Sequence, residues 1–509
     1  MTDAHGGASP APPSLRIVIL GGGTAGWMAA CLMAKAWPDA TITVVESPEI
    51  GIVGVGEGST PQLKALFDTL DVAEAEWMPA ADATYKAGIA FHGWGAADTP
   101  GYFHPFAGGI DLHTAPAFHA STRARRSGAD VPAHPDRFFL NSRLAAAHRA
   151  PLAPPNFPFA IGYGYHFDAH KVGHVLRDHA VGRGVTHLAR RVTQAVVGED
   201  GNVARLELDE GPPLAADLFV DASGFRSVIA QEALGVRFLP FASNLFNDRA
   251  VVMPTPRSDA LNVHTISTAL SSGWAWDIPL TSRTGNGYVY ASAYISADQA
   301  ETELRAHLGL LDSDVSARHL SMKVGRVEQS WAANCLTIGL AQGFVEPLEA
   351  TALHIVQATV EGFIQAYAEG GFSPDQRDAF NARIARRYEG VRDYIVAHYR
   401  MNQRTDTPYW RDNAANDHLS DDLKAIMTAW FTGREVGAIV QQRDLAGYYA
   451  PMSWEVLLAG YGTFPDAARL RPAPPVADLA GIDAFLDGCL LNFGDHAAAL
   501  ANREAEGPI

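Results

Sequence analysis

Hydrophobic patterning sets out the chain before any single residue does. An apolar run, Leu15-Arg16-Ile17-Val18-Ile19-Leu20, ends directly in Gly21-Gly22-Gly23-Thr24-Ala25-Gly26, and a helix is predicted from Trp27 to about Trp37. A turn at Pro38-Asp39 leads into Thr41-Ile42-Thr43-Val44-Val45, a second β-rich run closed by Glu46, which completes a βαβ unit. Residues 151–300 read as strand-rich, with alternating or β-branched stretches at 203–208, 218–222 and 287–295. From Glu346 the period turns helical. Ser373-Pro374-Asp375-Gln376 carries a capping residue, a proline at the first helical position and a glutamine placed for a capping box. Phe380, Ile384, Tyr388, Val391 and Ile395 then hold a helical period to about Tyr399. The Pro-rich stretch 471–475 sets off a final helical tail.

These patterns divide the 509 residues into a disordered lead-in at 1–14, an α/β region at 15–345 and a mainly helical region at 346–509. The lead-in is rich in Ala, Gly and Pro and lacks the basic and apolar regions of a secretory signal, so the default compartment is the cytoplasm. A formal net charge of −17 gives no footprint for nucleic acid or an anionic membrane; the densest basic run, 123–126, reads as a short solvated loop. No apolar stretch reaches the length of a membrane span. Cys31, Cys335 and Cys489 are too few and scattered for a disulfide framework or a metal cluster.

Between strand and helix, Gly21, Gly23 and Gly26 form a G-x-G-x-x-G turn whose backbone, with Thr24 and Ala25, can approach a pyrophosphate at a helix N-terminus. Glu46, twenty residues on, is placed for the ribose hydroxyls. Leu218-Phe219-Val220-Asp221-Ala222-Ser223-Gly224 and Leu336-Thr337-Ile338-Gly339-Leu340-Ala341 resemble two later strand-and-turn signatures of glutathione-reductase-type flavoproteins. They favour FAD over NAD and add Asp221 and Gly339 to the cofactor-binding candidates.

Gly273-Trp274-Ala275-Trp276-Asp277-Ile278-Pro279 is W-x-W-x-I-P, and with it the chain resembles the flavin-dependent halogenases, the tryptophan halogenase family in particular. The resemblance makes Trp274, Trp276, Ile278 and Pro279 pocket-shaping residues beside the flavin. It makes Lys86, in Thr84-Tyr85-Lys86-Ala87-Gly88-Ile89-Ala90-Phe91, the active-site lysine. On one continuous strand Lys86 would share its face with Gly88 and Ala90, whose small size leaves room for a reagent. Glu349, in Gly343-Phe344-Val345-Glu346-Pro347-Leu348-Glu349-Ala350-Thr351-Ala352, would face the lysine, while N–H groups of Thr351 and Ala352 at a helix start would hold a halide. Ala350 and Ala352 stand where the family commonly has Ser and Gly.

The glycine-rich stretch 51–61, including Gly54, matches the strap that joins flavin and substrate pockets in the family. His104 and Phe106 match positions that sandwich an indole, and Trp454 is a further substrate-side candidate. The tract that clamps the amino-acid part of free tryptophan is not recognisable around Trp454 and Tyr461, which favours indole or a simple derivative, with a phenol or pyrrole behind it.

The resemblance implies a fold with a Rossmann-like FAD domain of the glutathione-reductase type, a mixed β-sheet substrate region and a helical C-terminal part. Reduced FAD from a separate flavin reductase would react with O2 to a flavin hydroperoxide, and bromide or chloride would leave as hypohalous acid relayed to Lys86. A homodimer is compatible with the sequence. An FAD monooxygenase and a non-catalytic flavin-binding protein are the competing readings; W-x-W-x-I-P with Lys86 and Glu349 speaks against the first, and the second is expected to carry fewer polar groups between flavin and pocket.

Overall fold

The computed structural model describes residues 14–49, 56–96, 99–465 and 479–506. Arg16–Leu20 lies at the centre of a six-stranded sheet between Leu218–Asp221 and Thr41–Glu46, both parallel to it. Cys335–Thr337 extends the sheet beyond Leu218–Asp221, and Thr186–Ala189 extends it beyond Thr41–Glu46. Four of the five Arg16–Leu20 positions are buried, as a strand covered on both faces requires. The following helix, Thr24–Ala36, starts three residues earlier than the pattern indicates, because the glycine turn passes into it without a spacer.

A second sheet has seven strands. In spatial order they are Arg318–Ser321, Arg249–Pro256, Arg283–Tyr290, Gly273–Pro279, Thr265–Leu270, Gly88–His92 and Tyr102–Pro105. All neighbours are antiparallel except Thr265–Leu270 with Gly88–His92, so the sheet is mixed. The run expected at 287–295 is shorter: the strand stops at Tyr290, and Tyr294 and Ile295 turn back to donate to the Ala291 carbonyl. W-x-W-x-I-P therefore occupies a central strand with both tryptophans buried.

A three-stranded sheet of Gly56–Gly58, Gly164–Asp168 and Thr84–Lys86 bridges the two large ones. The stretch 84–91 is thus not one strand. It breaks at Ala87, and its halves belong to different sheets.

Helices Ala352–Glu369 and Arg377–Met401 cover one side. The Ser373 hydroxyl accepts from the Asp375 N–H, and Pro374–Gln376 forms a 3-10 turn ahead of the helix, in place of the capping box expected through Gln376. Phe380, Ile384, Tyr388, Val391 and Ile395 are buried as the period requires, but so are Tyr394, His398 and Tyr399, because the last turns pass through the core. The basic run 123–126 is the end of the helix Asp111–Arg126, where a solvated loop was expected. Arg126 is buried, and its guanidinium donates to the carbonyls of Ala429, Trp430 and Arg434, satisfying a helix C-terminus. Stretches 1–13 and 471–475 lie outside the described residues. The tail helices Leu479–Leu490 and His496–Glu506 dock back on the body, with His496 Nε2 accepting from the Tyr85 N–H at 3.3 Å. None of the described helices is long and apolar enough to cross a membrane.

Gly287 lies opposite Trp276, and a Cβ there would sit 2.2 Å from Trp276 Cζ2. Gly287→Ala should destabilise the fold by about 1 to 3 kcal/mol, since the indole has to leave its rotamer. A denaturant midpoint equal to wild type would show that the indole moves freely.

Candidate active site

Three turns meet at the C-terminal ends of adjacent parallel strands, where doubly wound sheets bind ligands. The first is the glycine turn. Gly21 has φ +116°, and a Cβ there would lie 2.2 Å from the Ala222 carbonyl oxygen; a Cβ on Gly26 would lie 1.9 Å from that of Gly21. Gly23, by contrast, faces open space, with nothing within 4 Å of where its Cβ would be. The helix that starts at Thr24 has no side-chain cap and no acid in its first turn, so its N–H groups are available to an anion.

The second turn follows Asp221. Its fully buried carboxylate accepts from Ser223 N and Oγ and from the N–H groups of Ile229 and Ala230. Expected as a cofactor-binding residue, Asp221 is committed to this turn and shapes it; its carboxylate does not reach outward. The third turn begins at Gly339, φ +61°, where a Cβ would come 2.9 Å from Ala25 Cβ. Glu46 ends its strand beneath Gly22 and pairs with His187 Nε2 at 2.6 Å. Gly54 lies outside the described residues.

Across the small sheet sits Lys86, with none of its surface exposed. Its Nζ lies 5.3 Å above the Phe106 ring. Phe106 is held there by its own N–H, which donates to Ala87 O, and by the Asn141 amide, which reaches the carbonyls of Ala87, Phe106 and Gly162. Burial pushes the Lys86 amine down to about 7, opposed only in part by Glu349. Among the described residues Nζ makes no hydrogen bond or ion pair. The room expected from Gly88 is used otherwise: a Cβ on Gly88 would meet His104 O at 2.2 Å and the Phe103 ring. Gly58 is the glycine that accommodates the lysine, since a Cβ there would lie 2.9 Å from Nζ.

Glu349 closes the 3-10 turn Pro347–Glu349, and Ala350 follows with φ +55°, a left-handed conformation that costs a non-glycine residue about 1 to 2 kcal/mol. The helix begins at Ala352 with Thr351 as N-cap, again without a side-chain cap or an acid in the first turn. Thr351 is buried and Ala352 exposed. Burial pushes the Glu349 carboxyl up, but His398, His104 and Lys86 together outweigh it and hold it below the ordinary value. Its Oε1 lies 2.9 Å from His398 Nε2, and His398 Nδ1 lies 2.8 Å from the Tyr461 hydroxyl. Sequence reasoning missed His398, Tyr461 and Asn141. His398 lies four residues after Tyr394 on one helix, but nothing in the sequence announces that this face meets Glu349.

His104 stands on the strand Tyr102–Pro105 with its ring nitrogens 3.4 and 3.5 Å from the Tyr394 hydroxyl; burial pushes it down to about 4, so it is neutral. Trp454 packs edge-on against Tyr394 at 4.8 Å and so backs this wall from behind. Trp274 and Trp276 lie 6.1 Å apart, and Trp274 Nε1 donates to Glu346 Oε2 at 3.4 Å. Pro279 O accepts from Thr84 Oγ1 at 2.8 Å, while Ile278 packs against Gly56 of the strap. W-x-W-x-I-P thus ties the sheet to the strap and to the segment bearing Glu349.

The family model for tryptophan halogenase matches residues 16–473. This chain belongs to the tryptophan halogenase family. A tryptophan 6-halogenase of Streptomyces toxytricini is 34% identical over 498 residues, 91% of each chain. Among solved structures, a flavin-dependent halogenase from Brevundimonas sp. BAL3 superposes with a TM-score of 0.83 at 32% identity, over 98% of this chain and 100% of that one. One from Xanthomonas campestris gives 0.84 at 32%, over 97% and 99%. The protein is accordingly a flavin-dependent halogenase of Rossmann-like fold that acts on an aromatic substrate with FADH2, O2 and halide. The open side of Gly23, the uncapped helix at Thr24 and the close approach of Gly339 to Ala25 fit a dinucleotide stretched across the three turns.

The sign of the lysine's burial is testable. Below about pH 7 both folded and unfolded chains hold the Lys86 proton, and the cost of burying it is felt in full, on the order of 5 kcal/mol at most. Between about 7 and 10.5 only the unfolded chain holds it, so the cost shrinks as pH rises. Lys86→Met should therefore raise the denaturant midpoint most near pH 7 and least near pH 10; an equal gain at both would show that the amine is not desolvated.

Proposed function

We propose that this halogenase acts on indole or a simple indole derivative and that Lys86 relays the halogen to the ring. The observation that carries the reading is a desolvated amine without a bonded partner, placed over Phe106 and held short of contact with Glu349. Bound through the three turns, reduced FAD from a separate flavin reductase would supply, with O2, the oxidation of bromide or chloride to hypohalous acid. The uncapped N–H groups around Thr351 and Ala352 offer the halide its site. Neutral Lys86 then meets hypohalous acid, either as a hydrogen-bond partner or by exchanging N–H for N–halogen with release of water. His104 and Phe106 stack the ring against Nζ, with Trp454 behind them and Trp274, Trp276, Ile278 and Pro279 closing the side toward the strap. Ionised Glu349 stabilises the cationic ring and accepts the displaced proton, and His398 supports its charge.

Two observations favour a ring without an amino-acid tail. Glu455 is buried and engaged by His119, and the Tyr461 hydroxyl is engaged by His398. Among the described residues of 449–465 no acid is left for an ammonium group. FAD monooxygenase chemistry is disfavoured because hydroxyl transfer has no use for a desolvated lysine.

Reaction mixtures of enzyme, flavin reductase, FAD and NADH with bromide or chloride, offered indole or tryptophan and read by mass spectrometry, test this. Halogenated indole should exceed halogenated tryptophan at least tenfold, be lost in Lys86→Ala with peroxide scavenged, and fall about a hundredfold in Glu349→Gln. Oxygenated product, or halogenation indifferent to Lys86→Ala, would return the chain to the monooxygenase reading.

A further inference from the structure

Thr84–Lys86 is the outer strand of the small sheet, paired among the described residues on one side only, with Gly164–Asp168. Alternate N–H groups therefore point away from its partner and need acceptors of another kind. Ala87, just past the strand, finds one directly: its N–H donates to Val263 O at 2.7 Å. Two residues earlier the Tyr85 N–H leaves the same side toward Leu261, but a ring from the far end of the chain stands between them. Tyr85 N–H donates to His496 Nε2 at 3.3 Å, and His496 Nδ1 lies 3.1 Å from Leu261 O. A carbonyl only accepts, so the ring proton is on Nδ1, and Nε2 keeps its lone pair for Tyr85. Burial pushes the ring down to about 4, so it is neutral, with one donor and one acceptor, both used.

The imidazole thus occupies the place of a ladder bond. Beyond Ala87 the strand Gly88–His92 lies parallel to Thr265–Leu270. Toward Tyr85 and Leu261 the ring wedges the two segments apart, and the chain passes from one sheet to the other. Lys86 sits at that bend. Its C-terminal neighbour Ala87 is fixed through Val263, Phe106 and Asn141. Its N-terminal neighbour Tyr85 is gripped twice by the tail, at the N–H through His496 and at the hydroxyl through Arg503 Nε at 3.2 Å. The tail is anchored beside the ring, where His496 N–H donates to His148 O and Ala150 N–H to Gly494 O.

We propose that His496 is a positioning residue for Lys86: by bridging Tyr85 N–H and Leu261 O it sets the angle at which the lysine strand leaves the large sheet, and so keeps Nζ in its dry seat over Phe106. The proposal rests on Lys86 being the group that meets the oxidant. It gives the C-terminal tail a part in the site, although His496 touches neither the amine nor Glu349.

The test reads the amine directly. The chain has six lysines, so the full-length protein labelled with 13Cε-lysine gives few signals, and that of Lys86 is assigned by its loss in Lys86→Met. Glu349 is the charge that acts on Lys86, and His166 beside it is held neutral by burial. A neutral His496 adds no charge, so a changed Lys86 midpoint on replacing it reports displacement of the strand. His496→Ala should raise that pH midpoint by about one unit, as water reaches an amine that burial had held down. In turnover it should cut halogenated product per NADH about tenfold while hypohalous acid captured by a β-diketone trap rises. His496→Gln, whose amide offers an acceptor and a donor on one carbon, should restore both. His496→Asn keeps a donor for Leu261 but is too short for Tyr85; it should match His496→Ala, and it decides the matter if the alanine variant does not fold. Unmoved midpoints in the folded alanine and asparagine variants, or a folded His496→Gln that behaves as His496→Ala does, would overturn the proposal. A raised midpoint in a protein whose wild type makes no halogenated product would instead sink the halogen-relay reading and leave the positioning intact.

Discussion

An amine held in a dry interior without an ion-pair partner is the constraint around which this protein is arranged. Lys86 and Glu349 feel each other's charge but do not touch. In contact they would neutralise one another and the amine would keep its proton; moved far apart, the carboxylate would no longer offset any of the proton affinity that burial takes from the amine. Holding two such groups at a set separation demands rigidity from both sides. On one side Asn141 staples Phe106 to Ala87 and Gly58 grants Nζ its place. On the other, His398 reaches Glu349 from the largely buried end of a long helix, and Tyr461, at the end of the helix Pro451–Gly460, holds His398 from behind.

The W-x-W-x-I-P strand is where these supports converge. Its first tryptophan bonds Glu346, three residues before Glu349; its isoleucine packs on the strap at Gly56; its proline carbonyl receives Thr84, two residues before Lys86. One central strand therefore touches the lysine segment, the glutamate segment and the link to the cofactor turns. The motif is thus a mechanical tie, apart from any chemical part the indoles take.

Buried acids other than Glu349 do related work. Asp221 spends its oxygens on backbone N–H groups and so fixes the second cofactor turn. Glu346, which burial pushes up to about 7, gathers the Tyr399 hydroxyl, the Asn247 amide and the Trp274 indole on one oxygen. In each case a carboxylate is kept inside because several donors converge on it, and the chain segments bearing those donors are thereby joined.

What the sequence by itself determined is whatever depends on neighbours along the chain: the first βαβ unit with its glycine turn, the period of the helix through Phe380 and Ile395, and the family to which these motifs belong. Contacts between distant segments were decided only by tertiary structure. Lys86 and Gly88 are two residues apart, yet the chain leaves one sheet for another at Ala87, so the lysine's space comes from Gly58. Asp221 reads as a cofactor ligand because it ends a strand, but the donors that claim it come from a turn that local pattern does not define. His398 sits within a regular helical period, and its partner Glu349 lies on a different segment, in a turn bent by a left-handed alanine. Alternation and period report which way a side chain leaves its own backbone; which group it meets there is set by how sheets and helices close on one another.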